Sequence, residues 1–253
     1  MPLKRSLNLV QRLLPEASRG DVVLAYHLVG AGTGAVVDLP VREFERQLDL
    51  LTERFHLCTL KDLLAAPAAP QPRAVLTFDD AYANFVEVVL PILERRRIPS
   101  VLYVPIGFVQ GTAKAPLTGA ALPACTFADL RAAASAGVEI GSHGVNHLNL
   151  RRASDAALTE ELRRSREVLE QELGRAVPSF CYPQAKVDAR VERATAVHYE
   201  SAVAAGGRRH LGGRPHRIPR FPVRRDEARF EPMIRSRLWL TEALASEVRQ
   251  WRR

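Results

Sequence analysis

Cysteine is scarce in this 253-residue chain: Cys58, Cys125 and Cys181 are far apart and odd in number. That argues against a disulfide framework and against a zinc cluster built on thiolates. Aromatic residues make up only 6%, and the basic stretches are not interleaved with them, so single-stranded nucleic acid finds no stacking platform. No run of about eighteen apolar residues is present to span a membrane. After Lys4 and Arg5 the apolar stretch is broken by Asn8, Gln11 and Arg12, so the hydrophobic region of a secretory signal is missing. These absences lead to the expectation of a cytoplasmic protein with no transmembrane segment and no nucleic-acid partner.

What is present is a composition that builds a core: 47% hydrophobic and 25% charged residues, outside the range of disordered chains. The net charge of +8 is concentrated at one end. From Ala205 to Arg253 there are 13 Arg, no Lys and 5 acids, while the first 204 residues are electrically neutral. Such a patch suits anionic sugars or lipid headgroups, and equally a solvated arginine-rich surface.

Short apolar runs alternate with segments of helical period. The runs are Val22–Tyr26, Ala74–Phe78, Ser100–Val104, Val138–Gly141, Ser179–Tyr182, Ser201–Ala204 and Ile218–Val223, with the character of buried parallel strands. Between them, Phe44, Leu48, Leu51 and Phe55 share one helical face, as do Phe85, Val88, Val89 and Ile92. A long helix carries Leu158, Leu162, Val168, Leu169 and Leu173, with Ser154 or Asp155 as its cap and Gly174 as its stop. This alternation implies a parallel sheet with helices outside, either a barrel or an open doubly wound sheet, and periodicity does not choose between them.

Two motifs fall where strands end: Thr77-Phe78-Asp79-Asp80, and His143-Gly144-Val145-Asn146-His147. In parallel α/β folds the C-terminal strand ends face the site. Burying two adjacent carboxylates is costly unless a cation compensates. A divalent metal held by two imidazoles and one carboxylate, with a position left for water, meets that need.

These motifs, with Ala25-Tyr26-His27, Glu139-Ile140-Gly141-Ser142-His143 and Phe180-Cys181-Tyr182-Pro183, resemble the polysaccharide deacetylases over roughly Val22 to Val223. The resemblance implies a distorted, TIM-like (β/α)7 barrel of the α/β class. It further implies a metal-dependent hydrolase that removes an N-acetyl group from an amino sugar or a glycan containing one. Asp80, His143 and His147 would hold the metal, usually zinc in this family, although a His₂Asp set also suits nickel, cobalt or iron. Asp79 would be the general base, and the N–H of Gln184, following Pro183, would face the oxyanion. Competing readings are a same-fold hydrolase of another linear amide, such as a formamide or ureide, and a non-catalytic glycan-binding relative.

The departures from the family pattern set further expectations. Ala81 stands where the family has glycine, Gly144 where it has Ser or Thr, and Leu148 where proline is common. Cys181 stands where many members have an arginine that orients the catalytic aspartate, so another cation is needed. Arg220, in Ile218-Pro219-Arg220, is the candidate, with Tyr182 and Gln184 as further substrate-side residues. The late Leu-x-His motif that carries the general acid in many members has no clear match. His27, at the end of the first strand, takes that role in this reading, with His210 and His216 as its fallbacks. The expected organisation is a helical extension over 1–20, a catalytic barrel over 21–225, and a basic helical extension over 226–253. The last includes an amphipathic segment from Leu238 to Arg253 that packs on the barrel or meets a membrane surface or partner. The expected substrate is an N-acetylated sugar, with anionic and lipid-linked forms among the candidates and a membrane-peripheral location open.

Overall fold

A computed structural model describes residues 21–65, 71–117, 122–206, 210, 213–225, 230–231 and 233–234. Seven strands form the barrel: β1 (Val22–Tyr26), β2 (Arg73–Phe78), β3 (Ser100–Val104), β4 (Glu139–Ser142), β5 (Ser179–Cys181), β6 (Ser201–Ala205) and β7 (Ile218–Pro222). All neighbours are parallel, and β1 closes the ring by pairing with both β2 and β7. A two-residue strand, His56–Leu57, adds to the edge of β2. The seven apolar runs of the sequence are these seven strands, with no end shifted by more than one residue. The closed ring decides for the barrel over the open sheet.

The ring is uneven. β1 and β2 pair over five residues, from Val22↔Ala74 to Tyr26↔Phe78, whereas β4 and β5 meet at Ser142↔Phe180 alone. That thin seam lies directly below His143.

Helices cover the outside: α1 (Val41–Arg54), α2 (Leu90–Arg96), α3 (Phe127–Ser135), α4 (Asp155–Leu173) and α5 (Ala189–His198). Thr126 and Asp129 form a reciprocal capping box at the start of α3. Ser154 caps α4 by accepting from the Ala157 amide, and Gly174 ends it in the left-handed conformation. A π-helical turn, Phe85–Val89, leads into α2.

Side-chain parity separates the two cores. Leu24, Tyr26, Leu76, Phe78, Leu102, Val104, Ile140 and Phe180 face the helices. Val23, Val75, Val101, Tyr103, Cys181, Val203 and Ile218 fill the barrel. Period-two alternation continued past the strand ends carries the inward set onward: Val23 to Ala25 to His27, Val75 to Thr77 to Asp79, Gly141 to His143, and Ile218 to Arg220. The rim is thus the top layer of the barrel interior.

Gly141 shows how tight that interior is. A Cβ there would stand 2.4 Å from Cε1 of Tyr103 and 2.7 Å from Oγ of Ser179. The proposed 1–20 extension and the Leu238–Arg253 helix lie outside the described residues. Of the 226–253 segment, Phe230 and Ile234 are described and are buried in the helix-facing core.

Candidate active site

Asp79 extends the β1–β2 pairing by donating its amide to the Tyr26 carbonyl at 3.0 Å. The chain then turns sharply, with Asp80 at φ 78° and Ala81 at φ 51°. Two consecutive non-glycine residues in the left-handed region are costly, and such backbone collects at functional sites. The turn swings Asp80 over the barrel mouth beside Asp79. Both side chains are buried, at 5% and 2% exposure.

Across the mouth, β4 ends in His143 and its loop returns His147 to the same place. His143 Nε2 lies 3.6 Å and His147 Nε2 3.7 Å from Oδ1 of Asp80. These gaps are too long for hydrogen bonds. They are close to the separation of ligand atoms sharing one ion, roughly 3.3–3.4 Å for a tetrahedral zinc with bonds of about 2.0–2.1 Å. The His143 Nδ1–H donates to the Cys181 carbonyl at 2.7 Å, which leaves the Nε2 lone pair aimed at the shared point. This bond also closes the thin β4–β5 seam. Burial pushes the His143 pKa down to about 3 and lowers that of His147, keeping both rings neutral as ligands require. Burial, then the charge of Asp79, raises the Asp80 carboxyl well above its usual range. A cation at this point relieves that penalty, so Asp80, His143 and His147 fit a divalent metal.

Asp79 already has its cation. Arg220 donates from Nη1 and Nη2 to its two oxygens at 2.7 and 2.8 Å, and from Nη1 to Thr77 Oγ1 at 2.8 Å. Burial alone would raise the Asp79 carboxyl. The charge and hydrogen bonds of Arg220, with His143 and His27 adding, hold it well below the usual range. Arg220 Nη2 also lies 2.9 Å from Cys181 Sγ, and its guanidinium stands over the Tyr103 ring at 5.6 Å. Asp79, His143 and Cys181 form a second close grouping of ligand types, but the guanidinium between Asp79 and Cys181 already fills that position with positive charge. Arg220 reaches from β7 into the place left by the small side chain on β5.

His27 Nε2 is 4.0 Å from Oδ2 of Asp79, and its buried Nδ1 has no partner among the described residues. The two fallback histidines are at the other end of the barrel. His210 pairs through its backbone with Asp21, ahead of β1, and His216 Nε2 bonds the Tyr199 carbonyl ahead of β6. Neither can reach the rim.

Tyr182 requires a correction. Parity puts it on the helix-facing side, where it is 1% exposed and donates its hydroxyl to the His216 carbonyl at 2.8 Å. It belongs to the wall, not the opening. Gln184 is exposed, at φ 55°, and its side-chain amide donates to the His147 carbonyl at 3.3 Å. Sequence reasoning passed over Glu161 of α4, whose buried carboxylate accepts from the Val145 and Asn146 amides in the histidine loop. Its only sequence signal was an acid beside Leu158, Leu162, Ser165 and Leu169 on the inward stripe of the helix.

A closed parallel barrel whose mouth holds a His₂Asp centre, with a second aspartate ion-paired outside it, defines a metal-dependent hydrolase architecture. The family model for polysaccharide deacetylase matches residues 66–201, and the chain belongs to that family. It is a metal-dependent carbohydrate deacetylase, a hydrolase acting on acetylated glycans. The fold is similar to that of the Streptococcus pyogenes deacetylase PplD, at 19% identity and TM-score 0.74 over 85% of this chain and 98% of that one. It is similar also to BC0361, a polysaccharide deacetylase from Bacillus cereus, at 21% identity and TM-score 0.72 over 85% and 69%. IcaB from Ammonifex degensii aligns at 19% identity and TM-score 0.67 over 81% and 92%. No curated protein matches the chain.

Proposed function

We propose that this protein hydrolyses the acetamide of an N-acetylated amino sugar, releasing acetate and the free amine, with zinc as its metal. The observation that carries the reading is the division of labour between the two adjacent aspartates. Asp80 faces two neutral imidazoles, whereas Asp79 is ion-paired with Arg220. When bound, the metal supplies Lewis acidity toward the acyl oxygen and acidifies water.

The chain supplies the rest. Asp79, kept ionised by Arg220, accepts the proton of the attacking water. Arg220 touches the base and not the substrate, so it is a positioning residue. The Gln184 N–H faces the acyl oxygen as its negative charge develops. His27 donates the proton that the leaving nitrogen needs when the C–N bond breaks. Its place beside Asp79 supports this, as does the position of His210 and His216 at the far end. Among the described residues no helix is long and apolar enough to cross a membrane. A cytoplasmic location is part of the proposal and rests on three unpaired, buried cysteines. The basic 205–253 stretch supports anionic or lipid-linked glycans as substrates.

Mass spectrometry of N-acetyl sugars incubated with zinc-loaded protein tests the reading, and loss of one acetyl group is the expected result. Turnover of N-formyl or ureide substrates with none of N-acetyl sugars would replace it by the runner-up hydrolase. Binding of glycans without turnover of any amide would make the chain a non-catalytic relative.

A further inference from the structure

The loop between the two imidazoles is fastened from both sides. Its carbonyls are taken by the turn after β3: the Ile106 amide donates to Gly144 O at 3.1 Å and the Gly107 amide to Val145 O at 2.8 Å. Its amides are taken by a single carboxylate. Glu161 accepts from Val145 N at 2.8 Å, from Asn146 N at 3.0 and 3.2 Å, and from Asn146 Nδ2 at 2.6 Å. Glu161 is only 3% exposed, so its charge is balanced by these donors and not by water.

One helical turn further along α4, Ser165 bonds Ser142 Oγ at 2.8 Å, and Ser142 Oγ accepts from Gly144 N at 3.2 Å. The same helix face therefore grips both the start and the middle of the histidine motif. Gly144 fits this arrangement: it sits at φ 79°, and a Cβ there would stand 3.0 Å from Glu161 Oε2. His147 closes the loop at φ 52°, a conformation that a histidine keeps only when its neighbours hold it.

We infer that Glu161 is a positioning residue that sets the span between His143 and His147, and thereby the affinity and geometry of the divalent-metal centre. The inference rests on the proposed ligands Asp80, His143 and His147. His143 has its own ring partner in the Cys181 carbonyl. Among the described residues the His147 ring meets the Asp80 carboxylate and the His143 ring, so its placement depends on the loop. Removing the carboxylate lets the Val145–Asn146 segment rotate, and the His147 imidazole leaves the shared point first.

The test is zinc affinity by equilibrium dialysis against a competing chelator, together with the visible spectrum of the cobalt-substituted protein. Wild type, Glu161→Gln and His143→Ala are compared. Glutamine keeps the length but presents an N–H₂ to one of the loop donors. Glu161→Gln should weaken zinc binding by about 10–100-fold, the usual cost of losing a partner that orients metal ligands, and should alter the cobalt bands. A purely structural role would lower the melting temperature and leave the affinity of the folded protein unchanged, which would overturn the inference. Loss of zinc in His143→Ala with wild-type affinity in Glu161→Gln separates failure of this inference from failure of the ligand assignment. Zinc retained by His143→Ala would instead overturn the assignment itself. If Glu161→Gln does not fold, Glu161→Asp keeps the charge but draws the carboxylate back from the Val145 and Asn146 amides, and wild-type zinc affinity in that variant overturns the inference as well.

Discussion

Replacing Arg220 by glutamine removes both charge-assisted hydrogen bonds to Asp79 and the bond to Thr77 Oγ1. The nearest groups left to Asp79 are Cys181 Sγ at 3.6 Å and His27 Nε2 at 4.0 Å, neither a substitute for a guanidinium. Asp79 and Arg220 are each 5% exposed, so the broken pair leaves a buried carboxylate uncompensated, at a cost of about 3–5 kcal/mol. For a chain of this size about 1 kcal/mol moves the melting temperature by roughly 2–4 °C, so the metal-free variant should melt roughly 6–20 °C lower.

The same loss acts on turnover. Asp79 is held below its ordinary pKa chiefly against the opposing effect of burial, so without Arg220 the carboxyl climbs. A base whose folded pKa rises is protonated over more of the acid range, so the acid limb of the kcat/KM profile moves to higher pH. Arg220→Lys should recover part of the stability, because it restores the charge without the two-pronged geometry. Calorimetry of the metal-free proteins and a pH–rate series check both arms. A wild-type melting temperature with an unmoved acid limb would refute the reasoning, and with it the pairing of Arg220 with the base.

Four further outcomes are expected. His27→Gln should keep metal and fold, lower kcat by about 10²–10⁴, and flatten the alkaline limb; near-normal kcat with an unchanged bell would remove His27 from the mechanism. Asp79→Asn should retain zinc by elemental analysis and lose most turnover, and loss of zinc there would mean that the two aspartates have been given each other's roles. Gly141→Ala drives a methyl into Tyr103 and Ser179 and should cost about 1–3 kcal/mol in a denaturant titration, an unchanged midpoint counting against the packing argument. Burial holds the His210 imidazole below its ordinary value, with Asp21 opposing and Arg73 adding. Its stabilisation is complete above the unfolded pKa of about 6.5 and is lost as pH falls through the lower folded value. Wild type should therefore lose melting temperature relative to His210→Gln as the pH falls below about 6.5, and a constant difference would contradict this.

The strands were legible because most are short buried runs dominated by apolar residues, the pattern of a parallel strand covered on both faces. The long helix was legible from its stripe and its stop at Gly174. The placement of Arg220 was only half legible. The missing family arginine at Cys181 signalled the need for a cation, but that β7 delivers it follows from ring closure, since β7 and β2 are separated in sequence and flank the same strand, β1. Tyr182 was misjudged because a motif places a residue along the chain without stating its parity. One position past Cys181 turns the side chain from the interior to the helices.

The sequence by itself determined the element order, the two strand-end motifs and the chemistry their residue types allow, because propensity, period and ligand type are local properties. Only the tertiary structure decided the rest. Ring closure chose the barrel over the open sheet, the left-handed turn at Asp80 and Ala81 set two adjacent acids in different surroundings, and Glu161 was set against the histidine loop. His210 and His216 were sent to the far end. Each of these depends on which strands become neighbours and on which side of a strand a residue falls, and long-range packing fixes both.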